Sequence, residues 1–225
     1  MFLLFDTSTE RGIVAVFKGS EMLFHTQLSM GYQSSQNLLS TVQSVLLQAG
    51  ATCSQLDFLA VGVGPGSYTG IRIAAAAAKT LSFACSLPVV GFCSLQGFIP
   101  SRDASFAAVI DAKIGGMYVQ IGNKSGGTVV FSSKPQVVPL ARAWDVLKET
   151  SVMVTPSAVQ LKSKLTAIFP ELPIAWEEKW PDPQFLGKLA WKKFQAKEYF
   201  ADHRFDLLYL RKTQAEIEKE GRNLS

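Results

Sequence analysis

The sequence predicts an α/β protein made of two tandem, related subdomains, and three observations carry that expectation. An apolar run closing on an aspartate occurs at residues 2–7 and again at 107–112, each time followed by a turn and a returning apolar run. Apolar residues at helical spacing follow the first of these meanders. Between them, Gly62-Val63-Gly64-Pro65-Gly66-Ser67-Tyr68-Thr69-Gly70 halts an apolar run directly ahead of an alanine-rich stretch, the order of strand, tight loop and helix N-terminus. The repeat places the division near residue 100, giving subdomains 1–100 and 101–225.

Each element has its own signal. Residues 2–7 read as a buried strand; the Glu10-Arg11-Gly12 turn leads to a second at 13–17, and Lys18-Gly19-Ser20 to a third at 22–28. Leu38, Leu39, Val42, Val45, Leu46 and Ala49 recur at helical spacing over 34–49, with Gly50 as the stop. A buried strand near 56–63 precedes the glycine-rich loop, and the helix behind it, over 71–86, is apolar nearly all round through five successive alanines, Ala74 to Ala78. A strand at Val89–Phe92 follows. In the second half, strands at 107–112, 117–121 and Thr128–Phe131 are joined by Ile114-Gly115-Gly116 and by the turn at 123–127. From about 130 to 200 the chain carries little motif, although residues 185–200 read as an amphipathic helix with Lys188, Lys192, Lys193 and Lys197 outward. Residues 215–223 read as a frayed tail.

Composition narrows the class. A chain of 225 residues with 48% apolar content can bury a full core, and a net charge of +4 is too small to argue alone for nucleic-acid binding. The three cysteines, Cys53, Cys85 and Cys93, lack metal-like spacing and predict reduced thiols, hence a cytoplasmic setting. Residues 80–99 carry no charge, but Pro88, Gly91 and Gly97 interrupt them, so they predict a helix end and a strand rather than a membrane span. The N-terminal apolar run is cut by Asp6 after only four residues, so it predicts a buried strand rather than a signal peptide.

Catalytic chemistry is poorly supported. The glycine-rich loop has Ser67 where a dinucleotide fingerprint needs its third glycine, and it lacks the Gly-Lys-Ser/Thr ending of a P-loop. Ser67 is not in a Gly-x-Ser-x-Gly elbow, and the two histidines, His25 and His203, lie far apart, so neither a serine triad nor a metal site is expected.

The segment Gly64-Pro65-Gly66-Ser67-Tyr68-Thr69-Gly70-Ile71-Arg72 closely resembles the signature of the TsaB (YeaZ) family. Phe5-Asp6-Thr7-Ser8-Thr9, Val109-Ile110-Asp111-Ala112-Lys113 and Tyr209-Leu210-Arg211 resemble its other landmarks, in the same order. The resemblance implies an actin-like ATPase (ASKHA, ribonuclease H-like) fold. It also implies a non-catalytic scaffold that binds the enzyme TsaD in the transfer of a threonylcarbamoyl group to adenosine of tRNAs reading ANN codons. No cofactor and no metal are implied. Implied partners are a TsaD-like catalytic subunit, a TsaE-like ATPase in the assembled complex, and a second copy of the chain when alone; tRNA contact is auxiliary, and there is no membrane partner.

The same resemblance distributes roles over residues. Asp6, Thr7, Thr9 and Asp111 occupy degenerate phosphate-loop positions, since the Asp-Thr-Ser-Thr loop lacks the glycine that lets backbone approach a nucleotide. Each aspartate can instead cap its own turn. Gly64, Pro65, Gly66 and Gly70 form a structural loop. Leu38, Leu39, Val42, Val45 and Leu46 of the first helix, with Ala74, Ala75, Ala78 and Leu81 of the second, are expected at the partner interface. TsaD-type enzymes carry a His-x-x-x-His pair on the first helix, and no histidine stands there. The alternative from the enzyme class is a small ATPase or phosphotransferase using Asp6 and Asp111.

Overall fold

A computed structural model describes residues 1–29, 34–113, 116–201 and 205–210. The expected turn at Ile114-Gly115, His203, Arg211 and the tail at 215–223 lie outside the described residues. The elements are β1 (Phe2–Asp6), β2 (Arg11–Lys18), β3 (Glu21–Ser29), α1 (Ser34–Gln48), β4 (Phe58–Gly62), α2 (Tyr68–Cys85) and β5 (Val89–Phe92), then β6 (Ala104–Asp111), β7 (Gly116–Ser125), β8 (Thr128–Phe131), β9 (Gln136–Pro139), α3 (Ala143–Leu147), β10 (Val152–Thr155), α4 (Val159–Ile168), β11 (Ala175–Glu178) and α5 (Pro183–Gln195).

The two sheets repeat one plan. The first has the order β3-β2-β1-β4-β5 and the second β8-β7-β6-β10-β11, with β9 pairing to β7. In each, the leading strand has antiparallel neighbours on one side and parallel ones on the other. The leading strands both close on an aspartate at the hairpin, Asp6 opposite Ile13 and Asp111 opposite Met117.

Burial on both faces explains why β1 reads as an unbroken apolar run rather than an alternating one. Leu3 and Phe5 join Val14, Val16, Leu59 and Val61 under α1 and α2. Phe2 and Leu4 face the other way, with Ile13, Phe17 and Phe58, under Leu186 and Ala190 of α5. Stacked rings run through that layer: Phe2 lies 4.8 Å from Phe17 and 4.4 Å from Phe58, and Phe58 lies 4.1 Å from Phe194. Each ring so buried contributes about 2 kcal/mol.

Helix α5 corrects the expectation that everything after residue 100 belongs with the second sheet. Asp182 caps it, its Oδ1 accepting from the Phe185 N–H at 2.9 Å, and its Gly187 lies where a Cβ would overlap the Phe17 ring. The chain continues on the first sheet through a Val89–Phe200 bridge and a Leu208 N–H to Val63 carbonyl hydrogen bond of 2.8 Å. The cause is the second face of that sheet, whose phenylalanines would otherwise meet water. The helix also stops at Gln195, short of the expected residue 200, because Lys197 adopts φ +61. The uncharged stretch at 80–99 becomes the end of α2, β5 and a 3-10 turn at Ser94–Gly97, and among the described residues no helix is long and apolar enough to cross a membrane.

Candidate functional site

Three segments meet around the start of α2. The chain leaves β1 through Thr7 and Ser8, leaves β4 through the Gly64-Pro65-Gly66 loop, and brings Leu208 and Tyr209 against that loop and the first turns of α2. Ser67 N–H donates to the Ser8 carbonyl at 2.6 Å, and Thr7 Oγ1 donates to the Gly70 carbonyl at 2.7 Å. Such proximity leaves no room for side chains. A Cβ on Gly66 or Gly70 would overlap the Ser8 or Thr7 carbonyl oxygen, and Gly64, at φ +99, would place one 2.7 Å from Ile71. Ser67 caps α2, its Oγ accepting from the Gly70 N–H at 3.3 Å, which starts the helix at Tyr68 instead of the expected 71. On top, Arg72 lies over the Tyr68 ring at 3.9 Å and donates from Nε to the Tyr209 hydroxyl at 3.3 Å. Three of the four sequence landmarks thus form one packed unit.

The fourth landmark faces this unit across a cleft of about 680 Å³. Ser8, Thr9, Ser67, Tyr68 and Thr69 line one wall, and Asp111, Ala112, Lys113, Ser157 and Gln160 the other. Asp111 is occupied: its Oδ1 accepts from the Lys113 N–H at 2.8 Å, and its oxygens receive Lys164 Nζ at 3.1 and 2.8 Å. The equivalent turn in the first half has the same bond, Ser8 N–H to Asp6 Oδ1 at 2.8 Å. Both aspartates therefore cap their own hairpins. Asp6 and Thr7 are buried away from the cleft lining, and the Thr9 hydroxyl bonds the backbone of Arg11. Of the four expected ligand residues, only Thr9 and Asp111 reach the cleft, and both are already engaged.

Burial pushes the Asp6 carboxyl above its ordinary range, against smaller lowering by hydrogen bonds from Ser8 and Ser94, and its Oδ2 has no hydrogen-bond partner. The folded state therefore holds the Asp6 proton more tightly than the unfolded chain does. Below about pH 4 both states are protonated and the group contributes nothing; as pH rises toward the folded value, stability is lost, and the loss persists above it. Asp6→Asn removes that dependence. We expect the melting temperature of Asp6→Asn, relative to the parent, to rise between pH 4 and pH 7; a constant difference would show that the carboxyl is not desolvated.

The helix pair presents a different face from the expected one. Leu38, Val42, Val45, Leu46, Ala74, Ala75 and Ala78 are all buried in the chain's own core. Helical periodicity marked the inward stripe, and these side chains are taken up by β1, β2 and β4. Leu81 packs partly against the same cluster. Of the expected interface residues, Leu39 is the one that stands outward, 49% exposed. Two apolar side chains absent from that expectation stand further out, Leu47 at 76% and Phe83 at 77%. For Leu47 the signal in the sequence was its place off the apolar stripe of α1; α2, apolar nearly all round, gave none for Phe83.

The duplicated sheet, the paired aspartate hairpins and the cleft between the two sheets' loops define an actin-like fold in which both aspartates cap their turns. The family model described as "TsaD: tRNA N6-adenosine threonylcarbamoyltransferase" matches residues 30–189. The Escherichia coli protein named tRNA threonylcarbamoyladenosine biosynthesis protein TsaB is 34% identical over 52% of this chain and 52% of its own length. The Bacillus subtilis protein of the same name is 27% identical over 65% and 66%. The aligned part spans about half the length of the first of these curated relatives. Among solved structures, YeaZ from Pseudomonas aeruginosa superposes with a TM-score of 0.77 at 24% identity, over 92% of this chain and 99% of that one. The chain belongs to the TsaB/YeaZ family, within the TsaD-type domains, and has their actin-like fold.

Proposed function

We propose that the chain is a non-catalytic scaffold in the biosynthesis of threonylcarbamoyladenosine on tRNA, acting by binding a TsaD-like catalytic subunit through α1 and α2 of residues 1–100. A TsaE-like ATPase joins the assembled complex, and a second copy of the chain takes the same helix face when the catalytic subunit is absent. The observation that carries this reading is the state of the two aspartates: one is buried with its turn and the other is held by Lys164, so neither is free to orient a hydrated metal ion and nucleotide. The names of the relatives support the pathway. The absence of histidine from the sequence of α1 supports a non-catalytic role, while the exposed Leu47 and Phe83 support a protein partner.

The cleft favours a second reading, in which the chain is itself a small ATPase. One experiment separates them. Captured from its own cell extract, the chain should bring down a larger actin-like protein carrying the His-x-x-x-His pair, and the purified chain should not turn over ATP. A chain that stays solitary and hydrolyses ATP at ordinary enzyme rates, with loss of turnover in Asp111→Asn, would establish the second reading instead.

A further inference from the structure

Helix α5 covers the face of the first sheet opposite to α1 and α2, and Leu186, Ala190 and Phe194 form its inward stripe. The outward side carries Lys188 and Lys192, one helical turn apart and both exposed, and Lys197 is exposed just beyond the helix end. None of these three has an ion pair among the described residues, whereas Lys193 donates to the Gly91 carbonyl at 3.2 Å and lies 4.0 Å from Glu198. From Pro183 to Lys197 there is no acidic residue. The chain's whole excess of +4 thus equals the four lysines of this segment, and basic and acidic residues balance over the rest. A net charge too small to attract a polyanion when scattered is here collected on one helix. Two aromatic side chains stand where the lysines end, Tyr199 at 37% exposed and Phe200 at 39%. Both are held in place: the Tyr199 ring lies 5.4 Å from that of Phe194, and Phe200 exchanges backbone hydrogen bonds with Val89 at 2.9 and 3.0 Å.

We propose that this outward face of α5, with Tyr199 and Phe200 at its end, is a contact surface for tRNA. Lys188, Lys192 and Lys197 each neutralise a backbone phosphate, and the two fixed rings offer flat faces to unstacked bases. Lysines ending on half-exposed rings suit RNA with unpaired bases better than an acidic protein surface, which has no use for the rings. Proteins similar to this chain are named for the biosynthesis of a modified nucleoside of tRNA, which makes tRNA the polyanion at hand. The inference rests on that pathway reading and not on the binding of a catalytic subunit. Because α5 and the helix pair lie on opposite faces of one sheet, a partner seated on α1 and α2 leaves the lysines uncovered.

Fluorescence anisotropy of a labelled, unmodified tRNA transcript, titrated with the full chain at several salt concentrations, tests this. The expected result is salt-dependent binding that weakens at least about 10-fold at about 50 mM salt in the variant Lys188→Gln, Lys192→Gln, Lys197→Gln, with the slope of log affinity against log salt reduced by about 2 to 3. The double variant Lys188→Gln, Lys192→Gln should lose about 2 of that slope, and it decides the matter should the triple variant not fold. A charge-matched control, Lys134→Gln, Lys148→Gln, Lys162→Gln, alters three exposed lysines of the second half and should bind as the parent does. Ultraviolet cross-linking should attach the RNA to the peptide holding Tyr199 and Phe200. No binding by the parent at about 50 mM salt, parental affinity and slope in the α5 variants, an equal loss in the control, or cross-links mapped only elsewhere would each overturn the proposal. No second protein is present in this experiment, so its failure would leave the helix-pair reading to its own association measurement.

Discussion

Gly70→Ala is expected to cost the fold about 3 kcal/mol or more, a large part of the stability of a protein this size. The added methyl would overlap the Thr7 carbonyl oxygen, a backbone atom at the end of the central strand that cannot swing aside as a side-chain tip could. Moving α2 away would in turn break the bond from Thr7 Oγ1 to the Gly70 carbonyl and the one from Ser67 N–H to Ser8. Gly19→Ala is the control. Its backbone is left-handed, at φ +59, but nothing lies within 4 Å of the new methyl, so it should cost only about 1 kcal/mol. Urea unfolding of both variants reads the difference. Equal losses would mean that the start of α2 is not fixed by contact with the β1 loop. Gly66→Val should behave like Gly70→Ala, through Ser8, and for crowding alone, since its φ is not among the positive ones.

The double variant Leu47→Glu, Phe83→Glu is expected to weaken association with a TsaD-like partner at least about 100-fold, roughly 2.8 kcal/mol, while leaving the fold intact. Both side chains are mostly in water already, so replacing them should change the chain's own stability by only about 0.5 kcal/mol. Within an interface, each carboxylate would be desolvated without a partner. Ala78→Glu makes the opposite case. Ala78 is fully buried under β4 and β1, so a charge there should unfold the chain and report nothing about partners. Titration by calorimetry, with circular dichroism to check folding, separates the two effects. Native affinity in the folded double variant would move the interface off this face.

How legible these features were depends on the range of the interactions behind them. Strands β1, β5 and β8 could be read from local sequence because an apolar run bounded by turn residues is itself the cause of a buried or paired strand. The capping role of Asp6 and Asp111 was legible for the same reason: an aspartate accepts from the N–H two residues on. The side chains expected at a partner interface proved to be core because periodicity reports which side of a helix is buried, and Leu38, Val42 and Val45 are buried by their own sheet. Between 130 and 178 the strands are four residues long and α3 spans five, too short for a period to accumulate. Nothing local signals that Trp191 and Phe194 stack on phenylalanines of β1 and β4, or that Leu208 closes on Val63. Those contacts join residues more than a hundred positions apart.

The central claim is that this chain serves a transferase without being one. The most direct measurement is the threonylcarbamoyladenosine content of tRNA in a reconstituted reaction containing the TsaD-like subunit and the TsaE-like ATPase, with this chain present, absent or replaced by Leu47→Glu, Phe83→Glu. The account predicts formation of the modified nucleoside only with the parent chain, none with the double variant, and none from the chain alone. Product formed equally well without the chain, or by the chain without its partner, would contradict it.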